Sequence, residues 1–159
     1  MRALRERFDP AAALGVPAHV TILIPFMPPE KITAQVLARA KAALKELSSF
    51  SFVLDKVGRW PETTYLIPDP ATPFVQMTKA LAAAFPDYPP YGGKHAGVAP
   101  HLTVADRSTA HADEAERELR AVLARRDPIR STCRKVDLYE NAAGAWKPMH
   151  AIALEDLES

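Results

Sequence analysis

Fifteen prolines are spread through these 159 residues, and each one removes a backbone donor and ends or bends the element it falls in. Many sharp segment ends are therefore expected. Apolar residues make up 48% of the chain and charged residues 25%, so the prolines punctuate an ordinary globular composition rather than signalling disorder. A chain of this length is expected to form one domain, residues 1–159, with a proper core.

Between the prolines the pattern is readable. Residues 4–13 predict a short helix or irregular lead-in, which "GVPA" breaks. "HVTILIPF" (19–26) is apolar and β-branched and predicts a strand. Ile32, Val36, Leu37, Ala40, Leu44 and Leu47 fall at helical spacing between Lys31 and Leu47. Residues 50–60 and 63–68 predict two strands around a tight turn at Pro61-Glu62. A helix follows, with Thr72 as N-cap, Pro73 in its first turn, and Phe74, Met77, Leu81 and Phe85 inward. Residues 86–100 have the composition of a loop, 101–106 predict a strand and 112–125 a helix. Residues 130–140 and 146–155 predict a closing pair of strands.

Set out in this way, the chain repeats itself. "HVTIL" begins at His19 and "HLTVA" at His101, and each opens a run of strand, helix and two antiparallel strands. This weak duplication predicts two lobes, approximately 1–70 and 95–159, related by a two-fold axis, with a helix and loop (71–94) inserted. Side chains alternate across a strand. His19 and Thr21 are therefore expected on one face, opposite Val20, Ile22 and Ile24; His101 and Thr103 are expected opposite Leu102 and Val104. A polar pair on an apolar strand is costly when buried dry and tolerable when it lines a wet cleft.

Two imidazoles and two hydroxyls across such a cleft suit acid–base chemistry on a phosphodiester. One neutral ring takes a proton from the attacking oxygen and one protonated ring gives one to the leaving oxygen, each role supplying roughly 10²–10⁴-fold. The threonine hydroxyls donate to phosphate oxygens. No metal or cofactor is needed. The bland alternative is a pair of histidines that hydrogen-bond to backbone. From other functional classes come a non-catalytic nucleotide or RNA-end binding module and a metal-binding protein using several of the five histidines.

The paired motifs "HVTI" and "HLTV" resemble those of the 2H phosphoesterase superfamily, which includes bacterial 2′-5′ RNA ligase and cyclic phosphodiesterase proteins. The resemblance runs from "DPAAALGVPAHVTILIPF" through "YGGKHAGVAPHLTVAD" to the closing strands. It implies a bilobal α+β fold, with two antiparallel sheets lining a central cleft and helices packed outside. It implies a metal-independent hydrolase acting on 2′,3′-cyclic phosphates or 2′-5′ phosphodiester linkages. His19 and His101 then become the acid–base pair, and Thr21 and Thr103 the phosphate holders. An ADP-ribose derivative is the competing small-ester substrate. Similar members open with a strand before the first helix. Here eighteen residues precede His19, so either the start is placed late or a sheet edge is left unpaired.

Other residues divide between roles. Tyr91, with Gly92 and Gly93, predicts either a substrate-contacting lip or an ordinary turn; Phe26 and Tyr65 either border the site or pack. Lys94 and His95 are expected in a solvated loop, Trp60 and Trp146 in packing, and Arg130 and Arg134 on a surface strand face. His150 is the rival histidine but lacks a threonine two residues on. The lone Cys133 excludes an internal disulfide and cysteine zinc sites and suits a reducing cytoplasm. The start "MRALRERFDP" lacks the apolar stretch of a secretory signal. A net charge of +1 argues against a long nucleic-acid footprint. A cytoplasmic monomer is expected, with a small nucleotide or RNA terminus as partner and no membrane association.

Overall fold

The helices starting at Pro10, Ala34 and Thr109 are each capped by the side chain before them. The computed structural model describes residues 2–94 and 97–156. Helix α1 (Arg2–Phe8) runs into α2 (Pro10–Ala13), which is capped by Asp9 as its Oδ1 accepts from the Ala11 N–H at 3.0 Å. Helix α3 (Ala34–Leu44) is capped by the Thr33 hydroxyl, which accepts from Val36 N–H at 3.3 Å. Helix α4 (Thr72–Ala84) has Pro73 in its first turn, but Ala71 rather than Thr72 sits at its cap. Helix α5 (Thr109–Leu123) starts at Ser108, whose hydroxyl accepts from His111 N–H at 3.4 Å. The inward face of α4 is the expected one, with Phe74, Met77 and Leu81 buried, and α5 buries Ala112, Ala115 and Leu119.

The strands are β1 (Phe50–Trp60), β2 (Thr63–Asp69), β3 (Leu102–Asp106), β4 (Ile129–Cys133), β5 (Lys135–Glu140) and β6 (Lys147–Ala153). Among the described residues they form two antiparallel sheets, four strands in the order β3-β2-β1-β4 and the hairpin β5-β6. The chain is thus α+β. The four-stranded sheet takes β1 and β2 from the first half of the sequence and β3 and β4 from the second, so sheets do not follow the sequence halves. The expected single strand over 130–140 divides at Arg134. Residues before it pair with β1, residues after it with β6, and the Arg134 carbonyl accepts from Leu154 N–H at 2.9 Å.

The expected strand over 19–26 is absent. Among the described residues this segment has no strand partner, and its backbone bends at Ile22 and Leu23. Its carbonyls are satisfied in other ways. The Thr78 hydroxyl on α4 donates to Ile22 O at 2.8 Å, and Tyr91 N–H donates to Ile24 O at 2.5 Å. Pro25 has no N–H with which to continue a ladder. The alternation fails with the strand: Leu23 packs inward while Ile24 is 38% exposed.

Two apolar clusters make the core. One joins α1, the four-stranded sheet and α5 through Leu4, Phe8, Leu66, Val104 and Leu119; the other joins α3 and α4 through Leu44, Phe74, Met77 and Phe85. Val20 and Phe52 pack against both. The residue between His19 and Thr21 therefore plugs the seam between the clusters.

Candidate active site

His101 directly precedes β3, whose Thr103 pairs with Tyr65 across the sheet. Its imidazole meets the edge of Trp60 (centroids 4.7 Å apart) and of Tyr65 (5.4 Å), and these two rings lie 4.2 Å from each other. His101 Nδ1 lies 2.8 Å from the carbonyl of Ala99. His19 makes the same bond, its Nδ1 2.8 Å from the carbonyl of Pro17. In both, the acceptor is the carbonyl two residues back. A carbonyl oxygen only accepts, so Nδ1 carries the proton and a neutral ring keeps its free lone pair on Nε2. Each ring is thus tied by one nitrogen and left reactive at the other.

The surroundings of the two rings differ. His19 is exposed and His101 half-buried; Thr21 and Thr103 are both half-buried. Burial holds the His101 imidazole below its ordinary value, and the charge of His19 pushes the same way. The bond to the Ala99 carbonyl and the carboxylate of Asp106 pull partly back. The charge of His19 is thus felt at the His101 ring, and the side chain of Arg5 bonds to backbone near both, at Val16 O and Thr103 O.

The other candidates separate. Tyr65 lies beside His101. Trp60, expected in packing, lies there too and is 38% exposed. The sequence signal nearby is Gly58, since a glycine inside a strand marks a close approach, here by the Tyr65 ring that lies against Trp60. Tyr91 sits in the turn Pro90–Gly93 with φ of 53°, half-buried, its backbone fastened to the first motif segment at Ile24. Burial raises its phenol above the usual value. Phe26 packs edge-on against Phe85 (5.0 Å) and Tyr88 (5.3 Å), in the α3–α4 cluster. Lys94 is exposed, as is His150 on β6, and His95 lies outside the described residues. Trp146 donates its backbone N–H to Leu14 O, and Arg134 pairs with Asp156 at 3.4 Å. Among the described residues no group of three histidine, cysteine or carboxylate side chains is placed to hold a metal ion. Among them, too, no helix is long and apolar enough to cross a membrane.

Two groups that fasten the motifs gave no functional signal in the sequence. One is Thr78, through Ile22. The other is Arg5, which donates to Val16 O and Thr103 O while paired with Asp9.

Two His-x-Thr segments on an α+β frame indicate a class of phosphoesterases, and comparison with known families agrees. A family model described as the 2′-5′ RNA ligase superfamily matches residues 1–145. The chain belongs to that family, which is part of the 2H phosphoesterase superfamily. No curated protein matches it.

Proposed function

We propose that the chain is a metal-independent phosphodiesterase that opens 2′,3′-cyclic phosphates, or cleaves 2′-5′ linkages, at nucleotides or RNA ends. The observation that carries this reading is the shared tether: both rings bond through Nδ1 to the carbonyl two residues before, at 2.8 Å each. That arrangement leaves two Nε2 atoms for proton transfer. In hydrolysis, neutral His101 accepts a proton from water as its oxygen bonds to phosphorus. Protonated His19 gives its proton to the ribose oxygen as the P–O bond breaks. Partial burial of His101, which favours its neutral form, supports this assignment for the forward direction. Thr21 and Thr103 donate to the non-bridging oxygens as negative charge builds on them. On this reading the two motifs face each other across a cleft of a bilobal domain. The Trp60–Tyr65 pair offers an aromatic wall to a base, with Tyr91 at the rim. A monomer working in the cytoplasm fits the same reading.

Hydrolysis of a panel of 2′,3′-cyclic nucleotides in excess EDTA, with products read by phosphorus NMR, is the test. Turnover is expected, and His19→Ala or His101→Ala should each lower kcat by roughly 10²–10⁴-fold with the fold intact. Full activity in either variant, or nucleotide binding without turnover in the wild type, would overturn the proposal. The second outcome would leave a binding module.

A further inference from the structure

We infer that Arg5 is a positioning residue for the two-histidine site, setting the separation at which the two motifs stand. Its side chain is buried, with only 4% of the residue exposed, although it starts on the terminal helix α1. Asp9, one turn on, takes two of its hydrogen bonds on Oδ2, at 2.6 Å from Nη2 and 3.1 Å from Nε. The single Nε–H is shared with Thr103 O at 3.1 Å, two residues beyond His101, and Nη1 donates to Val16 O at 3.2 Å, three residues before His19.

One planar group therefore holds both segments, and its plane is set by a carboxylate. The other oxygen of that carboxylate caps α2, the helix that feeds into Val16. Stability alone does not call for this arrangement, because a buried ion pair is commonly matched or bettered by apolar residues of the same volume. An apolar side chain lacks the fork that binds two carbonyls at once, and the point charge of lysine lacks it too. Thr103 lies on β3, at the edge of the four-stranded sheet, and Arg5 reaches its carbonyl from outside the sheet.

The inference rests on the proposal that His19 and His101 act as a pair, so its test reads the geometry of the pair separately from turnover. NMR titration of His101 is recorded with and without His19→Gln, in the wild type and in Arg5→Lys, and kcat and KM are measured on 2′,3′-cyclic AMP. His19, Asp106, Trp60 and Tyr65 all bear on the His101 ring, and only the first is changed between paired titrations. In the wild type, His19→Gln should raise the His101 pKa by removing a like charge. In Arg5→Lys the same change should move it by less than half as much. The kcat should fall about tenfold to a hundredfold, in keeping with an ångström-scale misplacement, with KM within about threefold.

A folded Arg5→Lys with wild-type coupling and wild-type kcat overturns the inference, as does a wild type in which His19→Gln leaves His101 unmoved. If Arg5→Lys fails to fold, Arg5→Met with Asp9→Asn removes both charges together, keeps an oxygen to cap α2, and carries the same measurements. Failure of that variant to fold as well would show that Arg5 serves the fold and overturn the inference. Coupling present in the wild type and lost in Arg5→Lys, in a protein that hydrolyses no cyclic phosphate, would sink the proposed activity and leave the positioning role standing.

Discussion

The ring of Tyr65 occupies the space that a β-carbon on Gly58 would need: a Cβ built there stands 2.1 Å from Tyr65 Cε2. The two residues are partners across β1 and β2, and the same ring stacks on Trp60 and meets His101. A missing side chain on one strand thus seats the aromatic wall beside the second motif.

Gly58→Ala should therefore lift the Tyr65 ring off its strand. Overpacking of this kind costs about 1–3 kcal/mol, to be read as a lower urea midpoint at unchanged m-value. The near-ultraviolet circular dichroism from the Trp60–Tyr65 pair should change with it. Wild-type stability and spectrum together would mean that the ring has room to spare.

Thr78→Val keeps the volume but removes the hydroxyl that donates to Ile22 O. Leaving that carbonyl short of a partner should cost about 1–2 kcal/mol in chemical unfolding. Thr78→Ser, which retains the donor, should keep most of the first motif's anchoring. Equal losses in both variants would assign the effect to packing of the methyl group.

Acid should weaken the fold through His101. Its imidazole titrates below the ordinary histidine value in the folded chain, so the unfolded chain binds a proton first as the pH falls. Stability is then full above about pH 6.5, the unfolded value, declines below it, and stops declining once the folded ring is protonated. Urea unfolding between pH 5 and 8 should show this slope in the wild type and a shallower one in His101→Gln. Parallel slopes would remove His101 from the acid response.

Trp60→Ala should open His101 to water. With less desolvation its pKa should rise toward the ordinary value, as read by NMR titration, and the acidic limb of the kcat/KM profile should move to higher pH. An unmoved titration would place the source of the depression elsewhere, in burial by other neighbours such as Tyr65 or in the charge of His19.

What sequence could reveal here tracks how local the cause is. The inward face of α4 and the β1–β2 hairpin follow from neighbours a few positions away and are legible there, while the one cap expected from sequence, Thr72, stands one residue past the true one, Ala71. The segment 19–26 carries the composition of a strand, yet a strand also needs a partner, and Thr78 and Tyr91 took that place from a distance in sequence. The paired His-x-Thr motifs were plain. Arg5 was not, since "MRALRERFDP" reads as a solvated helix until tertiary packing closes over it. Trp60 was assigned to packing because an aromatic at a strand end does so in most chains; only Gly58 hinted at a ring close by.

The two histidines are held by unlike means, His101 at the start of a laddered strand and His19 on a run slung from one hydroxyl, one loop amide and one guanidinium. Wear on the molecule will accordingly be sorted by address. A blemish in α4 or in the Pro90–Gly93 turn is felt first at residue 19, and one in the sheet at residue 101. Hydrogen exchange should find the first tether breathing on its own, well before the sheet lets go.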